Sequence, residues 1–127
     1  MQHYAYQTRN RNVIKVFGRG LRISPKSSII VCRAVTGLSL PRAQQLVDGM
    51  VAGTHDLKGK FYTNIAKEMS SLLKSANANA ESKGLDPGRL MVHASTHQSF
   101  AFQTPRRFKQ RGRQKKIAHV QLVLEQR

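Results

Sequence analysis

The chain of 127 residues has 39% hydrophobic residues, which suits one modest core and not two ordinary domains, so we expect a single domain over residues 1–127. Its 22 Lys and Arg against six Asp and Glu give a formal net charge of +16, and so much like charge calls for an anionic partner: RNA, DNA or an acidic membrane. No apolar run is long enough to span a membrane and no secretory signal is recognisable, so we expect no membrane partner.

A strand and a short helix are predicted first. The segment from Val13 to Ile23 alternates loosely between apolar and polar residues, which indicates a strand that Gly18 and Gly20 would bend. Ser24-Pro25 places a capping hydroxyl before a proline in the first turn, so a helix is expected to begin there and to stop at Gly37.

Two more helices follow. Ser39 and Pro41 repeat the same opening pattern and predict a helix that ends near Gly53. From Lys60 to Lys83 the apolar residues fall at spacings of three and four, which predicts a long core helix with Gly84 as its left-handed cap. The apolar face of this helix consists of Ile65, Met69, Leu72, Leu73, Ala76 and Ala80.

The last third of the chain predicts a long hairpin. Leu90–Ala94 and Ala118–Leu124 alternate as strands, whereas the residues between them have little to bury. The expected fold class is α+β, with three helices packed on a small antiparallel β-sheet and a long projecting basic β-hairpin. We expect a globular body at 12–94 and 117–127 and an extended hairpin at about 95–116.

Charge is concentrated in this hairpin. Seven of the thirteen residues from Thr104 to Lys116 are basic, and the stretch from Pro87 to Leu124 contains no acid. Neutralising phosphates with such a run releases counterions, so we expect strong, salt-dependent binding to RNA. A localisation signal is the blander interpretation, but such signals need no flanking pair of strands. The first third is also purely cationic up to Asp48.

Catalytic, metal and cofactor chemistry is not indicated. Cys32 is the only cysteine, which fits a reducing, intracellular compartment and provides no zinc site. His93 and His97 would lie about 13 Å apart on one side of a strand, too far to share a metal. His119 on the return strand could face the same side and form a titratable patch, yet no nucleophile or paired carboxylate accompanies it. We expect no cofactor, no metal, no small-molecule substrate and no enzymatic activity.

Several segments resemble one protein family. Leu21-Arg22-Ile23-Ser24-Pro25-Lys26 is similar to its strand-to-helix entry, and Asn77–Asp86 to the end of its long helix in the archaeal and eukaryotic branch. Lys109–Arg113 resembles its arginine-alanine-x-glycine-arginine motif, and His119-Val120 its histidine-isoleucine pair. The family is the large-subunit ribosomal protein L-twenty-two family, called L-seventeen in eukaryotes, and the resemblance covers roughly Arg19 to Glu125.

The resemblance implies a structural constituent of the large ribosomal subunit in the cytoplasm. Members bind large-subunit rRNA, support its assembly and contact neighbouring ribosomal proteins, and their hairpin lines the polypeptide exit tunnel beside the nascent polypeptide. The tunnel tip would comprise Phe102, Gln103, Thr104, Pro105, Arg106, Arg107 and Phe108. The candidate RNA-binding residues are Arg19, Arg22, Ser24, Lys26, Asn79, His93, His97, Arg106, Arg107, Lys109, Arg111, Gly112, Arg113, Lys115, Lys116 and His119.

Two other classes of protein fit the sequence less well. An independent regulator could insert the same hairpin into a DNA groove as a β-ribbon, but it would normally be a dimer with an exposed apolar interface. The apolar positions here are already used by three helices and a small sheet. An RNA-processing enzyme would need clustered acids or a metal site, and the six acids are scattered.

Overall fold

The structure, a computed structural model, describes residues 3–103, 108–110 and 112–126. It confirms the expected α+β class: three helices pack on an antiparallel sheet of three strands. In chain order the elements are β1 (Val13–Leu21), α1 (Pro25–Val35), α2 (Leu40–Ala52), α3 (Thr63–Ser82), β2 (Leu90–Gln103) and β3 (Gln114–Gln126). Short 3-10 turns precede β2, at Pro87–Arg89, and lie between β2 and β3, at Phe108–Gln110.

Strand β3 is the centre of the sheet, with β1 on one side and β2 on the other. The alternating apolar residues of β3 are buried against the helices: Ala118, Val120, Leu122 and Leu124. The pairing of β1 with β3 shifts between Gly18 and Leu21, which confirms the predicted bend. The strand ends at Leu21 and not at Ile23, because Gly20 adopts φ +66° and the Ile23 amide turns back to the Leu21 carbonyl.

The two short helices begin where their sequence signals predict. In α1 the hydroxyl of Ser24 accepts a hydrogen bond from the Ser27 amide at 3.4 Å, as expected of a capping serine. In α2 the cap residue Ser39 makes no side-chain capping bond, and its backbone instead bridges to Met91 at the start of β2. Gly53 ends α2 in the left-handed conformation.

Helix α3 supplies the largest apolar face. Its buried residues are Ile65, Ala66, Met69, Leu73, Ala76 and Ala80. The spacing of apolar residues predicted that Leu72 and Leu73 both lie at the centre of this face. In the structure Leu72 is only partly buried. It lies over β1, where a Cβ on Gly18 would stand 3.1 Å from a Leu72 methyl carbon. Gly18 therefore makes room for Leu72 at the margin of the core.

The core between the helices and the sheet is built from aliphatic side chains, alanine, methionine and one cysteine. Leu40, Val47 and Met50 of α2 belong to it together with Leu73 of α3. Cys32 of α1 is also buried there, and desolvation raises the pKa of its thiol to about 12. In the part of the chain that the structure describes, no helix combines the length and apolarity needed to cross a membrane.

The N-terminal segment, residues 3–12, covers part of the opposite face of the sheet. The buried side chain of Gln121 accepts from the Ala5 amide at 3.0 Å and donates to the His3 carbonyl at 2.8 Å. The Tyr6 hydroxyl donates to Glu125 at 2.7 Å. No function was predicted for these N-terminal residues from the sequence. The contacts show that they form a second layer over the C-terminal half of β3.

Candidate nucleic-acid interface

The hairpin formed by β2 and β3 presents an exposed cationic surface. The two strands pair from Leu90↔Gln126 outward to Gln103↔Gln114, with an irregularity between Gln98 and Ala101. The cations described on it are all exposed: Lys109, Arg113, Lys115 and Lys116. A two-stranded ribbon has few neighbours that could compensate this charge, so the surface suits a polyanion.

Part of the predicted tip lies outside the described residues. The tip residues outside the description are Thr104, Pro105, Arg106 and Arg107, and Arg111, predicted to bind RNA beyond the tip, is also outside it. Of Phe102 and Gln103 the structure describes the backbone pairing alone. Phe108, at the other end of the predicted tip, is 89% exposed. Gly112 adopts φ +74°, a left-handed conformation that would strain a residue with a Cβ.

A groove of about 400 Å³ lies where the hairpin leaves the body. Four predicted RNA-binding residues line it together: Ser24, Lys26, His97 and Lys116. Helix α1 begins at this groove and has no acidic residue in its first turn. Its free N–H groups and the two lysine ammonium groups give the groove a positive potential that favours phosphate.

Aromatic and imidazole rings form a row across the outer face of the sheet, the face away from the helices. Phe17 of β1 lies 5.3 Å from His119 of β3, and His119 lies 5.0 Å from His97 of β2, measured between ring centroids. The ring planes are inclined by 41° in the first pair and by 60° in the second, so the rings meet at an angle and do not lie in one plane. Tyr4 extends the row beyond Phe17 at 6.4 Å. The expectation that His119 faces the same side as His97 is therefore confirmed.

The protonation of His119 is set by its surroundings. The Gly20 amide donates to Nδ1 of His119 at 2.9 Å, so Nε2 carries the proton in the neutral ring. Desolvation, and then the nearby His97 and Arg19, lower the pKa of His119. The neutral form is therefore favoured near pH 7, and His119 then adds no positive charge to the row.

The remaining predicted residues are distributed more widely. Arg19, Arg22 and Lys26 are exposed along the end of β1 and the start of α1. His93 is half-buried and stacks on Tyr6 at 3.8 Å, so the N-terminal segment covers one face of its ring. Asn79 is exposed near the end of α3 and does not line the groove. Among the residues that the structure describes, no group of three potential metal ligands comes together.

Three members of this surface were not predicted from the sequence: Tyr4, Tyr6 and Phe17. One signal was present, because Tyr4 and Tyr6 are two residues apart, a spacing that directs both rings to one side of an extended segment. Gln121 gave a second signal as a polar residue among the apolar residues of β3. Neither signal says where in the fold the N-terminal segment binds.

Most of the chain matches one known protein family. The sequence pattern of the family described as ribosomal protein L22p/L17e matches residues 16–125. This match includes all three strands except the first residues of β1 and the last of β3, and all three helices.

Curated relatives have the same description. The large ribosomal subunit protein uL22 of Methanopyrus kandleri is 32% identical over 140 residues, which cover 89% of this chain and 86% of that protein. The protein of the same name from Methanococcus maripaludis is 28% identical over 148 residues, covering 97% of this chain and 95% of the relative. The similarity therefore extends over nearly the whole length of both chains.

Proposed function

The chain belongs to the ribosomal protein L22p/L17e family, and we therefore propose that it is a structural constituent of the large ribosomal subunit that binds rRNA through its hairpin. The relatives named as large-subunit proteins are archaeal, in agreement with the archaeal and eukaryotic type of its motifs. The large subunit works in the cytoplasm, which is the proposed location of the chain. Large-subunit rRNA and neighbouring ribosomal proteins are its proposed partners.

The exposed cationic hairpin carries this proposal. Lys109, Lys115 and Lys116 project from a ribbon whose strands contain no acid until Glu125, at the opposite end of the sheet. Phosphate contacts from such a ribbon would fix the position of the body on the rRNA without reading its sequence. The groove at the base of the hairpin would hold a further phosphate between Lys26 and Lys116.

We propose that this chain binds its partners and catalyses no reaction. The tip around Phe102 to Phe108 would line the exit tunnel, where it would meet the nascent polypeptide. The large exposed ring of Phe108 supports a contact surface at this place. An independent DNA-binding regulator is not favoured, because the family match covers the body and both hairpin strands.

Removing hairpin charge should reduce the salt dependence of rRNA binding. Changing Lys109, Lys115 and Lys116 to Gln should lower the slope of log affinity against log salt by about two to three, because each lost phosphate contact retains about one counterion. A filter-binding titration with a large-subunit rRNA transcript measures this slope. The matched control changes three exposed lysines of α3 and the loop before it: Lys60, Lys67 and Lys74.

The control variant loses the same charge from another surface, so its slope should fall by less than about one. Equal reductions in the two variants would mean that net charge alone drives binding, and the hairpin would lose its proposed role. A duplex DNA of equal length, titrated in parallel, tests the regulator hypothesis. Tighter binding to that duplex than to rRNA would favour the regulator.

A further inference from the structure

The described aromatic side chains are placed unusually for a small domain. None of them is fully buried in the core, which contains aliphatic residues, methionine and cysteine, although Tyr62 packs against its margin. Phe17 and His119 instead lie partly buried on the outer face of the sheet, and His97 at the end of their row is exposed. Packing on the helices therefore does not explain why rings occupy these positions.

The row crosses the sheet in the spatial order of its strands, from β1 through β3 to β2. The N-terminal segment covers the neighbouring part of this face, where it binds Gln121 and stacks on His93. His97 and His119 lie beyond these contacts. The row thus has one end protected by Tyr4 and another end open for a planar ligand.

The charges around the open end of the row favour a negatively charged ligand. Arg19 directly precedes Gly20, whose amide donates to His119, and Lys116 lines the groove next to His97. Glu125 is the one acid in the described strands and lies six residues along β3 from His119, about 20 Å away. A planar group joined to negative charge fits this environment, and a nucleotide of single-stranded RNA has both features.

We propose that the rings of Phe17, His119 and His97 form a stacking platform whose exposed outer ring, His97, receives the face of an unpaired RNA base. Arg19 and Lys116 would bind the phosphates on either side of this base. This inference rests on the proposed rRNA-binding function and adds to it a contact made through a base. The bond from Gly20 to His119 holds the middle ring in a fixed orientation before RNA arrives. Stacking then needs little rearrangement of the platform, and it is tolerant of base identity.

Comparing two oligomers with equal charge isolates the stacking contribution. One probe is an oligoadenylate of roughly ten nucleotides, and the other is an abasic ribose-phosphate oligomer of the same length. The full chain should bind the oligoadenylate about tenfold more tightly at the same salt concentration. His97→Ala should bring the two affinities to within about twofold, whereas His97→Phe should keep most of the difference because it retains a ring.

His55→Ala is the matched control, because His55 is exposed in the loop after α2, far along the chain from the platform. It should leave the tenfold ratio unchanged. Imidazole proton resonances of His97 and His119 should also shift on addition of oligoadenylate, while those of His55 should not. A ring-current shift of this kind reports direct stacking.

Two results would contradict the proposed stacking platform. Equal affinity of the wild-type chain for the two oligomers would mean that bases contribute nothing, and equal ratios in His97→Ala and His55→Ala would mean that they bind elsewhere. In either case salt-dependent binding of the abasic oligomer would leave the proposed function standing. Failure of both oligomers to bind at any salt concentration would contradict the proposed function and the platform together.

Discussion

Leu73→Ala is expected to lower the free energy of unfolding by about 2–5 kcal/mol. The Leu73 side chain is completely buried in the core between α3, α2 and the sheet, so its removal leaves a cavity as well as reducing apolar burial. In a core this small, such a loss is a large fraction of the stability expected for a domain of this size. Urea unfolding of the full chain, followed by circular dichroism, measures the change.

The neighbouring residue provides the control. Leu72→Ala makes the same chemical change at a partly buried position over Gly18, and should cost no more than about 1–2 kcal/mol. The difference between the two variants tests which side of α3 faces the core. If Leu72→Ala cost as much as Leu73→Ala, or if Leu73→Ala cost less than about 1 kcal/mol, the described orientation of α3 would be wrong.

Anchoring to rRNA and lining of the exit tunnel should depend on different parts of the hairpin. Arg111 and Arg113 flank Gly112 in the sequence, and the left-handed backbone and missing Cβ of Gly112 would let the chain approach RNA closely. Changing both arginines to Ala should lower the salt slope of rRNA binding by roughly one to two and exclude the variant from subunits in competition with the wild-type chain. The measurement is the fraction of each chain found in purified large subunits.

A tip variant, with Gln103 and Thr104 changed to Ala, serves as the comparison. It removes no charge, so incorporation into subunits should stay close to that of the wild type. Its effect is expected in the passage of nascent chains or in sensitivity to inhibitors that bind the tunnel. Exclusion of the tip variant together with normal incorporation of the arginine variant would reverse the proposed roles of the two parts.

The helices and strands could be predicted because their signals are local. Ser24-Pro25 begins α1 and Gly53 ends α2 through interactions within a few residues, and the spacing of apolar residues identifies the buried face of α3. The alternation in β2 and β3 likewise predicts that these segments are strands. These features need no knowledge of distant parts of the chain.

Other features depend on contacts between residues far apart in sequence. Leu72 and Leu73 look alike in the periodic pattern, but in the fold Leu72 lies over Gly18 at the margin of the core and Leu73 is fully buried. Ser39 resembles a capping residue, yet its backbone is used in a bridge to Met91. The bonds from Gln121 to the N-terminal segment join residues more than one hundred positions apart. Sequence spacing carries no information on such pairings.

The charge of the candidate interface could be predicted from the sequence, but its row of aromatic and imidazole rings could not. The lysines and arginines of the hairpin are visible in the sequence as a run without acids. The row from Phe17 to His97 joins three strands and becomes visible once their order in the sheet is known. The sequence pointed to phosphate contacts and gave little weight to stacking, whereas the fold provides surfaces for both.

Sedimentation of a cell lysate on a sucrose gradient, with detection of this chain before and after a high-salt wash, tests its role as a large-subunit constituent most directly. A structural constituent should migrate with the large subunit and remain there after the wash, in an amount equal to other large-subunit proteins. Recovery of the chain at the top of the gradient, with large subunits that lack it after the wash, would contradict this role.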